Sequence, residues 1–231
     1  AFYQKLVEEN PDNEDYPFYV EEMEFAISQG ADKPLFGVYF HNEKWGHALG
    51  AYGMALMTTD GGEHWESVMH NIENDSFYHI FDFAPLPGEG KFFLSGEAGL
   101  FIESDVKTQI SKQVHSIPWE GSFFASTDTA DEAIVMGGLR GRMFRTDDVG
   151  ETWIVVEKPP TSTIVDSTRL ANGNLVFVGI AGEVILSTDN GFTFTKLPIA
   201  SGDRIYTVCE GPEGTLLVGG PAGIKTLTLP Q

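Results

Sequence analysis

Apolar residues gather in runs of four to seven, such as FFLSG, AIVMGG, LVFVG and LLVGG, punctuated by Gly, Asn, Asp and Pro. That texture predicts short strands joined by tight turns. Each run leads into a Gly-x-x-Gly pair: GAYG (Gly50, Gly53), GEAG (Gly96, Gly99), GLRG (Gly138, Gly141), GIAG (Gly179, Gly182) and GPAG (Gly220, Gly223). A second apolar run follows, as in MALMTT, RMFRTD and EVILST, and successive second glycines stand 46, 42, 41 and 41 residues apart. A repeat of this length holds about four strands and must bury its faces against its neighbours.

Five such periods, with no long helical pattern between them, predict an all-β fold of five four-stranded blades packed around an axis, a β-propeller. The blades are expected over 35–76, 77–121, 122–162, 163–203 and 204–231, with strands of the first near Leu35–Phe40, Gly46–Ala51, Met54–Thr59 and His64–Met69. Residues 1–34 break the pattern. FYQKLVEEN and YVEEMEFAIS place apolar residues at helical spacing, with Pro11 and Pro17 between them, and predict two short helices. Blade five reaches LTLPQ after three strands, so its edge needs a covering element that a helical N-terminal segment is poorly suited to donate; either a five-bladed ring closes with one short blade or upstream blades have been lost.

Seven residues beyond the second glycine, blades one, three and four carry Asp60, Asp148 and Asp189, in TTDGGEHW, TDDVGETW and STDNGFTF. The shared pattern, Ser/Thr-x-Asp-x-Gly-x-x-aromatic, is the Asp-box or BNR repeat; blade two has Val106 at the Asp position. Each part has a turn-level cause: the carboxylate accepts backbone N–H groups, glycine permits positive φ, and the aromatic (Trp65, Trp153, Phe194) anchors the returning strand against the next blade. The expected role of the three aspartates is structural.

In an up-and-down blade lettered A to D outward from the axis, the D–A and B–C loops share one face, and the Asp boxes, in C–D turns, occupy the other. Ligands of such folds meet the face of the channel mouth, which nominates the Gly-x-x-Gly loops. Tyr52, Glu97 and Arg140 come from those loops, and Trp119, Glu120 and Arg204 from the D–A connections, as candidate partner-binding residues.

The 231 residues, 42% hydrophobic, suffice for one substantial core. No run approaches the ~20 apolar residues that span a bilayer. The chain opens at Ala1 with neither an initiator methionine nor a signal peptide, so the residues alone assign no compartment. Cys209, the single cysteine, excludes an internal disulfide and a multi-cysteine zinc site, and its apolar run IYTVCEG makes it a core residue. A net charge of −20 argues against nucleic acid, whose phosphates need clustered cations. The acidic stretch of residues 8–32 reads as a solvated surface.

Catalytic patterns are sparse. There is no Gly-x-Ser-x-Gly elbow, phosphate loop or His-Glu-x-x-His. The six histidines lie in the first two periods, and His41 and His47 of HNEKWGH fall on different strands, a weak metal signature. Neither a metal nor a cofactor is expected. The alternative is a sialidase-like glycoside hydrolase or a glycan-binding lectin, since sialidases carry Asp boxes. Such enzymes resemble one another in holding a substrate carboxylate with three arginines; here Arg140, Arg142 and Arg145 sit in one strand-turn region, with only Arg169 and Arg204 beside them. A hydrolase also needs an acid pair about 5–10 Å apart at the channel mouth.

From about Ala31 onward the chain resembles the photosystem II stability/assembly factor family of BNR-repeat propellers, in its non-photosynthetic bacterial branch. GAYGMALMTTDGGEHW, FLSGEAGLFIESD, GGLRGRMFRTDDVGETW and VGIAGEVILSTDNG carry the resemblance. The resemblance implies a non-enzymatic scaffold on the periplasmic, secreted or lumenal side that binds a protein partner, a membrane protein or an envelope export component, during assembly. Members of the family often have seven blades, which implies that this chain lacks one or two N-terminal ones. Photosynthetic members are expected to carry an arginine patch for client binding; this chain departs from that pattern, with only Arg140, Arg142 and Arg145 making a local cluster in an otherwise very acidic sequence.

Overall fold

The computed structural model describes residues 2–86, 90–105, 111–157, 161–198 and 202–229; Val106 lies outside them. Helices α1 (Phe2–Glu9) and α2 (Asp15–Gln29) open the chain. Pro17 stands inside the first turn of α2, where its missing N–H has no helical acceptor to lose, and Asn13 Oδ1 accepts the Asp15 and Tyr16 amides at 2.9 and 3.1 Å.

Five antiparallel sheets follow in chain order. Blade one is β1 (Leu35–Phe40), β2 (Gly46–Gly50), β3 (Ala55–Thr58) and β4 (Glu66–Ser67); blade two is β5 (Ile80–Pro85), β6 (Lys91–Gly96), β7 (Phe101–Asp105) and β8 (Ser111–Gln113). Blade three is β9 (Phe123–Asp128), β10 (Ile134–Gly138), β11 (Met143–Thr146) and β12 (Ile154–Val155). Blade four is β13 (Ile164–Arg169), β14 (Leu175–Gly179), β15 (Val184–Ser187) and β16 (Thr195–Lys196), and blade five is β17 (Thr207–Glu210), β18 (Thr215–Gly220) and β19 (Gly223–Thr228). The fold is a β-propeller arc with a helical N-terminus.

The continuous apolar runs are the second strands, buried on both faces. In β14, Leu175 and Phe177 pack with Val135 and Met143 of blade three, while Val176 and Val178 pack with Val208 and Val218 of blade five. In β6, Phe92 and Leu94 join the blade-one core and Phe93 joins Ile134 and Met136 of blade three. A sheet sandwiched between two like sheets has no polar face to alternate with.

The arc is open. β1, β5, β9, β13 and β17 pack side by side in that order, and among the described residues no comparable packing joins β17 to β1. Val38 is 62% exposed, whereas its counterparts Phe83 and Val208 are 7% and 5% exposed. Ile224, on the far side of blade five, is 80% exposed. The N-terminal segment contributes no strand among its described residues but covers the outer half of the blade-one face: Tyr3 is buried, its hydroxyl is 2.9 Å from Ser67 Oγ, and its ring stacks on Tyr19 at 5.2 Å.

Two sequence expectations need correction. The Asp-box aromatics point to the preceding blade: Trp153 meets Phe101 of blade two edge-on at 5.0 Å, and Phe194 sits in the core shared by blades three and four. The turn itself abuts the same blade, since a Cβ on Gly191 would come 2.3 Å from Val135 of blade three. Cys209 is exposed, because it points away from blade four on the uncovered side of β17.

Near the axis, polar side chains tie the inner strands together. Asp82 Oδ2 accepts the Ser126 amide at 2.6 Å and its hydroxyl at 3.2 Å, joining blade two to three. Asp166 Oδ2 accepts the Val208 amide at 2.7 Å and the Thr207 hydroxyl at 2.6 Å, joining blade four to five. Burial pushes the Asp82 carboxyl up to about 7 against the pull of these amide and hydroxyl donors, and the Asp166 charge pushes the same way. The folded chain therefore holds this proton more tightly than the unfolded one. The stability it contributes is complete below about pH 4 and is lost as pH rises through 7. Asp82→Asn, which keeps an oxygen acceptor without the charge, is expected to gain melting temperature over the parent as pH is raised from about 5 to about 8. A gap independent of pH in thermal unfolding would show that ionised Asp82 costs nothing.

Candidate functional site

The Gly-x-x-Gly turns build the channel mouth. The first glycine is extended (φ −164° at Gly50, −159° at Gly96, −166° at Gly138), so strain does not select it. Close approach does: a Cβ would stand 2.4, 2.4, 2.1 and 2.1 Å from the Pro34, His79, Ser122 and Arg204 carbonyl oxygens at Gly50, Gly96, Gly138 and Gly220. The next amide, of Ala51, Glu97, Leu139 or Ile180, donates to the carbonyl of Pro34, His79, Ser122 or Thr163 at 2.9–3.0 Å. The D–A and B–C loops are thereby zipped together on one face. Tyr52, Ala98 and Arg140, the residues before the second glycine, hold left-handed φ of 56°, 53° and 57°. For residues other than glycine this conformation costs roughly 1–2 kcal/mol.

Tyr52 and Glu97 meet through His79. The Tyr52 ring, 57% exposed, lies 5.0 Å from the imidazole, and Glu97 Oε2 accepts the His79 amide at 3.2 Å and its Nδ1–H at 2.9 Å. Trp119 and Arg140 line a concavity of about 600 Å³ with Ile117, Glu120 and Leu139. The Arg142 guanidinium stands 5.4 Å from the Trp119 ring, whose buried Nε1 has no acceptor among the described residues. Arg204 is exposed at the entry to blade five, and no contact joins it to the others among the described residues. Arg145 leaves the arginine cluster: 1% exposed at the far end of β11, it pairs with Asp131 and Asp147 at 2.8 and 3.1 Å and donates to the Asn190 carbonyl at 3.1 Å. Its strand carries it from the mouth to the Asp-box face.

Three rings at the mouth escaped the sequence reading. Each inner strand of blades one to four has a bulge after its first residue, which leaves Phe36, Phe81, Phe124 and Val165 out of the ladder. Phe36 lies 5.2 Å from Phe81, and Phe81 4.8 Å from Phe124. Their signal is the apolar doublet opening each strand, LF, IF, FF and IV, which breaks the alternation of a regular strand.

The Asp boxes lie on the opposite face. Asp148 Oδ1 accepts the Thr146 hydroxyl and Thr152 amide at 2.9 and 2.8 Å, and Oδ2 the Thr152 hydroxyl at 2.5 Å. Asp189 repeats this with Ser187 at 2.7 Å and Thr193 at 3.0 and 2.6 Å, and Asp60 with Thr58 at 2.8 Å and His64 at 3.0 and 2.7 Å. These donors hold Asp60 well below the usual carboxylate range and lower Asp148, the His64 amide acting first on Asp60 and the Thr152 hydroxyl on Asp148. Trp65 meets Phe40 edge-on at 6.1 Å beside the first box. His41 and His47 do meet, Nε2 to Nδ1 at 2.9 Å, and burial lowers His47 to about 4. Of the acids on the inner strands, Asp82 and Asp166 each spend Oδ2 on the neighbouring inner strand.

The profile of the Photosynthesis system II assembly factor YCF48 family matches residues 21–222. The chain belongs to that family. Photosystem II assembly lipoprotein Ycf48 from Synechococcus sp. (strain CC9902) is 23% identical over 181 residues, 78% of this chain and 54% of that protein. The chain thus spans about half the length of this YCF48 relative. A structure of YCF48 bound to D1 peptide superposes with a TM-score of 0.68 at 18% identity, covering 84% of this chain and 64% of that one. Virginiamycin B lyase from Staphylococcus aureus, solved with quinupristin as an inactive variant, gives 0.69 at 14% identity over 87% and 72% of the two chains. At these identities the structures show the shared fold, and the YCF48 profile shows the family.

Gly96→Ala is expected to destabilise the protein by about 2 kcal/mol or more, because the methyl meets a backbone carbonyl that the Glu97 amide also needs. Gly37→Ala, whose Cβ would find ordinary contact at 3.5 Å, is the control. Similar urea midpoints for the two variants would remove close approach as the reason for the first glycine.

Proposed function

We propose that this chain is a non-enzymatic propeller scaffold that holds a protein partner at its channel mouth during assembly of a membrane or envelope complex. The carrying observation is the unspent chemistry of that face. Tyr52, Arg140, Arg142 and Arg204 are exposed there, and none of the three guanidiniums forms an ion pair among the described residues, whereas Arg145 and the Asp-box carboxylates are consumed within the fold. The YCF48 solved with a D1 peptide supports a polypeptide as the class of partner. The lipoprotein name of the Synechococcus relative supports a setting at a membrane surface; on this reading the chain is periplasmic or secreted and its client is a membrane protein or an export component. Against a glycosidase, Asp82 and Asp166 each direct an oxygen into the next blade, which leaves neither placed as a free acid for a substrate.

Detergent extracts of the membranes of the source cells supply the test. Arg140→Glu is expected to reduce recovery of the cross-linked partner at least tenfold, and Asp189→Asn, on the other face, to leave it unchanged. Equal recovery by both variants would remove the partner from the mouth.

A further inference from the structure

Tyr52, His79, Phe36, Phe81 and Phe124 form one unbroken run of rings across blades one to three, with centroids 5.0 Å (Tyr52–His79), 6.0 Å (His79–Phe36), 5.2 Å (Phe36–Phe81) and 4.8 Å (Phe81–Phe124) apart. Tyr52 and Phe36 are 57% and 43% exposed, and Phe81 and Phe124 are half-buried. The bulges put the phenylalanines there at the cost of ladder pairing, and the left-handed backbone at Tyr52 aims its ring outward. Exposed rings joined in one patch mark an interaction surface.

The geometry points to an extended peptide segment carrying apolar side chains and a lysine or arginine as the occupant of this stripe. This rests on the scaffold reading and names the chemistry of the partner. Charge complementarity carries the basic residue: Glu97 closes the stripe with Oε2 on His79, its Oε1 has no partner among the described residues, and the whole chain carries a net charge of −20. Tyr52 already attracts a cation, with Lys33 Nζ 6.0 Å from its ring centroid. The rings are tilted by 55° (Tyr52–His79), 44° (Phe36–Phe81) and 50° (Phe81–Phe124). They offer notches for side chains rather than the flat platform on which a sugar ring stacks. The three phenylalanines also lack the polar groups that would orient sugar hydroxyls.

The experiment uses three fluorescent probes: a Gly/Ser dodecapeptide bearing two Phe and two Lys, the same peptide with Glu for Lys, and a xyloglucan oligosaccharide. Anisotropy titrations are expected to give at least tenfold tighter binding of the Lys peptide. Tyr52→Asn, which tolerates the left-handed backbone, and Phe81→Ser are each expected to weaken it at least tenfold. Glu97→Gln, which keeps the acceptor for His79, should erase the preference for Lys over Glu. Should Phe81→Ser fail to fold, Tyr52→Asn and Glu97→Gln still decide. Equal affinity for the two peptides, indifference to Tyr52→Asn, or preferential binding of the saccharide would overturn the assignment. Partner capture that depends on Arg140 but not on Tyr52 would overturn the stripe and leave the scaffold reading standing. The converse result would remove the partner from Arg140 and keep the stripe.

Discussion

A small sheet that is apolar on both faces can bury them only against sheets like itself, and every other feature of this molecule depends on that contact. It explains why the second strands are unbroken apolar runs, with Leu175 and Phe177 facing one neighbour and Val176 and Val178 the other. It also explains the two ends. Val38 occupies a position that blades two and five bury, and its exposure measures what blade one lacks on that side. The helical pair answers only the outer part of this demand, through Tyr3 on Ser67.

Close to the axis the contact changes character. Inner strands lie side by side without a ladder between them, so amides there need other acceptors. Asp82 and Asp166 supply them at two junctions, Ser167 donates to the Ser126 carbonyl at 3.3 Å at a third, and Tyr39 packs on Phe83 at the first. A carboxylate used in this way is enclosed by its neighbours, and burial raises both acids. The same residue type is therefore shifted in opposite directions at two places. In the exposed Asp-box turns, donors dominate and hold Asp60 and Asp148 low. At the axis, desolvation wins.

What was legible in the residues follows from what has a local cause. Gly-x-x-Gly repeats because the D–A loop crowds the first glycine in every blade, through a backbone carbonyl at Gly50, Gly96, Gly138 and Gly220 and through the Ser162 hydroxyl, beside the Glu183 carboxylate, at Gly179, and the Asp box repeats because one carboxylate closes its own turn. Features that depend on parity or on which neighbour a face meets were not legible. A bulge shifts side-chain direction by one residue, so Phe36, Phe81 and Phe124 look like ordinary strand interior until the register is known. Arg145 is three residues from Arg142 in sequence, yet lies a strand length away, on the opposite face. His79 joined Tyr52 to Glu97 without any spacing motif, because the three residues come from two B–C turns and one D–A loop.

The division between the faces has a physical reason that goes beyond topology. On the Asp-box face, each carboxylate is surrounded by donors from its own hairpin, and Arg145 fixes the turn of blade four to the acids of blade three. Side chains there are spent on register. At the mouth the backbone sets register instead, because carbonyl-to-amide bonds lock the D–A loop to the B–C turn and leave the intervening side chains free to vary without loosening the blade. Tyr52, Ala98 and Arg140 hold the same backbone conformation in three blades while presenting a phenol, a methyl and a guanidinium. A propeller whose one face is secured by side chains and whose other face is secured by backbone can alter the side chains of the second without changing its fold.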